Sequence, residues 1–134
     1  MEACVVDTDV VSYIFKNLPI ARVYRKHLTA KLLTISFMTL AEIRLGMLLA
    51  GWGARRSAQM EAYLKEYTLY TCNDSLCHAW AYVTHSERAR GRVINPQDAW
   101  IAATAIQYGI PLITHNRKHF EGVAGLTVIS EAAG

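Results

Sequence analysis

The chain of 134 residues falls within the usual size of one domain and is long enough to bury a core without disulfide staples. Apolar residues make up 52% and charged residues only 19%, a surplus that points to a thoroughly buried sheet or to an additional apolar surface for a partner. The formal charge of +3 permits nucleic-acid binding without proving it.

Glu2 follows the initiator, and the first apolar run is cut short by Asp7 and Asp9, so no targeting signal is read here. The longest apolar candidate, Phe37 to Ala54, contains Glu42 and Arg44 and is no membrane helix. Cys4, Cys72 and Cys77 include no CxxC pair, which argues against a disulfide framework and a structural zinc site. Cys72, Cys77 and His78 lack the second ligand pair that zinc needs. A reducing cytoplasm is the expected compartment.

Ala-Cys-Val-Val at 3–6 is a short apolar run ended by Asp-Thr-Asp, and Val10, Val11, Ile14 and Phe15 then recur at helical spacing. That reads as strand, turn, helix. Pro19 suits the opening turn of a second helix running to about His27. Leu32 to Ser36 is a second strand, followed by a helix through Leu48 that halts near Gly51 and Gly53. Arg55 to Glu66 has a helical pattern, and Tyr67 to Thr71 favours a strand. Asn73 or Asp74 caps a long helix from Ser75 to about Arg90, ended by Gly91. Asn95-Pro96-Gln97-Asp98 starts another that is expected to bury Trp100, Ile101, Ala105 and Tyr108 or their near neighbours and to stop at Gly109. Pro111 to Thr114 and Leu126 to Ile129 are short strands separated by a polar turn and a single helical turn. Apolar strands alternating with helices predict an α/β fold, one domain over 1–134, with a central, mainly parallel sheet covered by helices on both faces.

Three acids stand at equivalent places: Asp7 at the carboxyl end of the first strand, Glu42 near the start of the third helix, and Asp98 near the start of a later one. In an open α/β sheet, ligands bind in the crevice outside the strand carboxyl ends. Three carboxylates aimed there would repel one another, and a hard divalent cation, Mg²⁺ or Mn²⁺, would resolve the repulsion. Each acid also has a purely structural reading. Thr39 to Glu42 fits a capping box, Asn95 to Asp98 a similar cap, and Asp9 or Thr8 could cap the first helix. Capping accounts for Asp9, which stays outside the expected ligand set.

Val5-Val6-Asp7-Thr8-Asp9, the segment Ser36 to Gly46 (SFMTLAEIRLG), Asp98 to Ala105 (DAWIAATA) and Leu112 to Phe120 (LITHNRKHF) together resemble the PIN-domain toxins of the VapC type. The resemblance spans nearly the whole chain, in order. It implies a magnesium- or manganese-dependent endoribonuclease, usually a homodimer, inhibited by a cognate antitoxin. It further implies that Asp7, Glu42 and Asp98 are metal-binding acids and that Asn116 occupies a fourth site position, Asp in some members and Asn in many. His119 stands where these toxins often carry Asp. With three carboxylates the pocket is expected to hold one ion firmly and a second weakly. A catalytically weak PIN fold that only binds RNA or an antitoxin is the alternative.

Asp7-Thr8-Asp9 also resembles the DxD of haloacid-dehalogenase-like phosphatases, but the later acidic pair that reading needs is absent, and no Gly-rich dinucleotide fingerprint follows the first strand. His115, Arg117 and Lys118 suit phosphate contact or a solvated loop. Arg88, Arg90 and Arg92, and Arg55 with Arg56, read as solvated charge. Among the aromatics, Trp52 between Gly51 and Gly53 looks exposed and able to stack on an RNA base, whereas Trp80 and Trp100 follow helical core patterns.

Overall fold

A computed structural model describes residues 1–133. In chain order the elements are β1 (Ala3–Val6), α1 (Thr8–Lys16), α2 (Ala21–Leu28), β2 (Leu32–Ser36), α3 (Phe37–Leu49), α4 (Ala54–Leu64), β3 (Thr68–Tyr70), α5 (Asp74–Ala89), α6 (Pro96–Tyr108), β4 (Leu112–Ile113), α7 (Arg117–Phe120) and β5 (Val128–Ile129). The strands form one sheet in the order β3-β2-β1-β4-β5, every neighbouring pair parallel. The expected α/β architecture is therefore the one observed.

Side-chain alternation along β1 divides the core in two. Cys4 and Val6 face one side with Val10, Val11, Tyr24, Ile43 and Met60, beneath α1 to α4. Val5 faces the other with Leu76, Val83, Ile101, Ala102 and Phe120, beneath α5 to α7. The chain leaves β1 toward β2 and β3, then returns to the opposite side of β1 for β4 and β5. The gap between the carboxyl ends of β1 and β4 is thus the topological switch point, where such sheets bind ligands. Gly109 closes α6 at φ 63, with its N–H on the carbonyls of Ala105 and Ile106. Gly122, at φ +83, offers its carbonyl to Arg90 and Arg92.

Several local expectations differ from what is seen. Pro19 precedes α2 rather than opening it, because the first helical residue is Ala21. Within α6, Ile101 and Ala105 are buried, but Trp100 is only half-buried and Tyr108 is exposed, stacked on Tyr70 with ring centroids 3.9 Å apart. Trp52 is not a free platform either. It is half-buried, stacked on Phe15 and covered by the Arg56 guanidinium 3.8 Å from its ring centroid. Among the described residues, no helix is long and apolar enough to cross a membrane.

Candidate active site

Asp7 follows the last residue of β1, and its own N–H, bonded to the Ile113 carbonyl at 2.9 Å, fastens it to β4. Its backbone is extended, so Asp7 itself is the N-cap of α1, its Oδ1 accepting the Thr8 N–H at 2.8 Å. This corrects the expectation that Asp9 or Thr8 caps that helix. The other oxygen, Oδ2, accepts the Thr114 hydroxyl at 2.7 Å. Asp7 is 4% exposed. Burial, then the neighbouring charges of Asp9 and Asp98, push its carboxyl up to about 7 against the two hydrogen bonds that favour the anion.

Asp9, freed from capping, turns toward the same region. Its Oδ1 accepts the Val10 N–H at 2.7 Å, and its Oδ2 accepts the His115 N–H at 3.1 Å from across the switch point. Burial raises its pKa, opposed by those amide bonds.

Glu42 lies in the second turn of α3. The capping box expected for Thr39 to Glu42 does not form, because the helix begins earlier, where the Ser36 hydroxyl accepts the Met38 N–H at 3.1 Å. Glu42 is left to reach α1. The Thr8 hydroxyl donates to Glu42 Oε1 at 2.7 Å and lies 3.0 Å from the Thr39 hydroxyl. Burial raises the Glu42 carboxyl, the Thr8 bond lowers it, and the charges of Asp98 and Asp9 raise it again.

Asp98 sits in the first turn of α6, where the expected Asn95 cap does form: Asn95 Oδ1 accepts the Asp98 N–H at 2.8 Å. Asn95 Nδ2 donates to Asp98 Oδ2 at 2.8 Å, and His119 Nδ1 lies 3.0 Å from that same oxygen. Both partners therefore engage one oxygen of the carboxylate. Burial raises the Asp98 pKa, while the His119 charge and these hydrogen bonds lower it.

Asp7, Asp9, Glu42 and Asp98 thus form one electrostatic cluster on three helix starts and one strand end. Among the described residues no Lys or Arg pairs with any of them, and the charge is offset by two imidazoles, His119 beside Asp98 and His115 beside Asp9. Their donor set is oxygen alone, the chemistry of a hard divalent cation. Each carboxylate is oriented by its own hydroxyl, amide or imidazole, and among the described residues no three His, Cys, Asp or Glu groups stand at ready-made ligand spacing. Two cavities border the cluster. One of about 390 Å³ is lined by Asp98, Asn95, His119, Lys118 and Arg92; another of about 230 Å³ by Thr8, Glu42, Lys16 and Trp52.

Asn116 is exposed at the start of α7, and its side chain does not cap that helix. Its link to the cluster is through the backbone, its N–H donating to the Thr114 hydroxyl at 3.0 Å. The structure does not bring its amide onto any of the carboxylates. The basic turn is divided in use: Arg117 holds the carbonyls of Ser130 and Ala132, the His115 ring meets the Tyr24 hydroxyl at 2.6 Å, and Lys118 remains at the cavity. Arg92 pairs with the buried Glu87 at 2.9 Å, so it is more than solvated charge. Sequence reasoning overlooked Thr114. Its place follows from the β1–β4 register, in which Val6 pairs with Ile113 and the next residues along both strands are Asp7 and Thr114, a pairing that no local sequence pattern encodes.

An acid cluster at the switch point of a parallel sheet defines a class of site, one whose all-oxygen donors suit a hard cation. A family description, PIN domain, matches residues 4–126, and the chain belongs to that family. It is 29% identical over 126 residues to "Ribonuclease VapC1" of Haemophilus influenzae (strain R2866), covering 90% of this chain and 91% of that one. The solved structure of VapBC-1 from nontypeable Haemophilus influenzae superposes with a TM-score of 0.79 at 27% identity, over 96% of this chain and 97% of that one. VapBC-5 of Mycobacterium tuberculosis, described as a member of the VapBC family of toxin-antitoxin systems, superposes with a TM-score of 0.68 at 27% identity, over 97% and 99%.

Proposed function

We propose that this chain is a metal-dependent endoribonuclease and the toxin of a toxin–antitoxin pair. The observation that carries the reading is the cluster of Asp7, Asp9, Glu42 and Asp98, deprived of Lys or Arg partners at the switch point of a PIN fold. Family membership and the ribonuclease name of a relative matched along nine-tenths of the chain support it.

Asp7 and Asp98 are the first-choice ligands for Mg²⁺ or Mn²⁺, with Glu42 and now Asp9 completing the charge. When bound, such an ion supplies Lewis-acid polarisation of the phosphodiester. The chain's own residues prepare the site. Thr114 and Thr8 orient Asp7, Thr8 also orients Glu42, and Asn95 with His119 fixes Asp98. Burial of Asp7 keeps water from screening its charge, so a cation is attracted more strongly there than at a surface acid. Asn116 is assigned a neutral role: its backbone N–H holds the Thr114 hydroxyl that orients Asp7, and its exposed side chain is left to contact water or phosphate.

The RNA substrate enters at the two cavities. A cognate antitoxin and a second copy of the chain are the proposed protein partners, and the exposed Leu45, Leu48 and Leu49 of α3 supply apolar surface for them. The cytoplasm is the proposed compartment. The test is to express the chain, map the 5′ ends of cellular RNAs, and repeat with Asp7→Asn. New ends that vanish in the variant support the reading. RNA binding without cleavage in the unaltered chain contradicts it and favours a binding module.

A further inference from the structure

Cys72 and Cys77 lie outside the acid cluster, and the proposed reaction uses neither. Cys72 follows β3, Cys77 stands in the first turn of α5, and both thiols are exposed. Their sulfurs are 3.9 Å apart. The turn between them is held by the helix cap: Asn73 Oδ1 accepts the Leu76 N–H at 2.8 Å, and the Cys77 N–H donates to the Asn73 carbonyl at 3.1 Å. This cap folds the chain back so that one sulfur faces the other. The third cysteine makes an internal contrast. Cys4 is buried in the sheet, out of reach of a dissolved disulfide.

We propose that Cys72 and Cys77 form an intramolecular disulfide when the protein meets a small-molecule disulfide such as oxidised glutathione, so that this edge of the fold is an oxidisable site. A disulfide needs its sulfurs about 2 Å apart, a closure within the swing of one exposed cysteine side chain about its χ1. The exchange proceeds in two steps. One protein thiolate attacks glutathione disulfide, giving a mixed disulfide and releasing one glutathione thiolate. The second protein thiolate then attacks the protein sulfur of that mixed disulfide, forming the Cys72–Cys77 bond and releasing the other glutathione. Two protein thiols are oxidised, one glutathione disulfide is reduced to two thiols, and the two protein protons pass to the released glutathione. The held turn favours the second step over attack on another chain, because it fixes a high local concentration of the resolving thiol.

The product would tie the end of β3 to α5. That helix reaches the candidate site's scaffold, since Trp80 donates to the Pro96 carbonyl at 3.4 Å and stacks on Trp100 with centroids 5.2 Å apart. Pro96 opens α6, two residues before Asp98. The inference does not depend on the ribonuclease reading.

The test treats the folded full-length chain with oxidised glutathione, blocks remaining thiols, and maps peptides by mass spectrometry. Trypsin releases residues 66–88 as one peptide holding both cysteines. The expected result is loss of two hydrogens from that peptide with no added glutathione, reversal by dithiothreitol, and a Cys4 that stays reduced. Cys77→Ser should instead retain glutathione on Cys72, and Cys72→Ser should retain it on Cys77. Stable glutathione on the wild-type peptide, a disulfide-linked dimer on a non-reducing gel, or two thiols left free would each overturn the proposal.

Discussion

Replacing Asp7 by Asn should stabilise the metal-free protein above neutral pH while removing its capacity to hold a divalent ion. The carboxyl has an ordinary pKa of 3.8 and is pushed up to about 7 in the fold, chiefly by burial. A raised acid contributes stability that is fully present below pH 3.8, where folded and unfolded states are both protonated, and loses it as pH rises toward 7. Across that window the unfolded chain has released the proton while the folded one retains it. Each pH unit is worth about 1.4 kcal/mol, so an interval of about three units puts the cost of ionising Asp7 on the order of 4 kcal/mol. Asn carries no charge and can still accept the Thr8 N–H, so the variant escapes this cost. Urea unfolding in chelator at half-unit steps from pH 4 to 8 measures it. The wild type should lose stability relative to Asp7→Asn steadily through the window, with the difference levelling off above it. Excess Mn²⁺ should narrow the gap above pH 7 by stabilising only the wild type, by about 2.7 kcal/mol at a hundredfold excess over Kd. A difference that stays flat with pH, or a variant less stable than wild type at pH 8 in chelator, would refute this reasoning.

Thr114→Val keeps the side-chain volume but removes the hydroxyl from Asp7 and from the Asn116 N–H, so it should cost about 1–3 kcal/mol in urea unfolding and weaken Mn²⁺ binding by calorimetry. His119→Asp puts a like charge where an imidazole now faces Asp98 at 3.0 Å; it should raise the Asp98 pKa in chelator, followed by carboxyl NMR, and tighten Mn²⁺ binding. Gly122→Ala should destabilise by about 1–3 kcal/mol, because Gly122 has a left-handed φ of +83 and a Cβ would fall 2.9 Å from the Arg92 guanidinium, which must then shift.

Much of the fold is legible in the chain because its strands are short, buried and clearly bounded. Leu32 to Ser36 is β2 to the residue, and the Asn95-Pro96 start and Gly109 stop of α6 follow from side chains that have few other uses there. The three acids were legible by position, at strand ends and helix starts. What escaped was the choice among adjacent candidates. Asp7, Thr8 and Asp9 can each cap a helix, and only the extended backbone of Asp7, at φ -70 and ψ 157, decides between them. Once Asp7 caps, Asp9 is released into the cluster. Its partner His115 lies 106 residues away, a pairing set by the β1–β4 crossover that no local pattern encodes. Glu42 shows the same limit: the true cap is Ser36, one turn earlier, so its carboxylate serves the site and not the helix end. Trp52 looked exposed between two glycines, yet Phe15 and Arg56, from other helices, close over it.

The central claim, that these acids hold a divalent ion that powers RNA cleavage, is tested most directly by incubating purified chain with end-labelled RNA under three conditions: Mn²⁺, Mg²⁺ and chelator. The wild type should cut at internal positions with either metal and not with chelator, and Asp98→Asn, folded by circular dichroism, should fall to background. Cleavage by the wild type that persists in chelator, or by Asp98→Asn at the wild-type rate with metal present, would contradict the account.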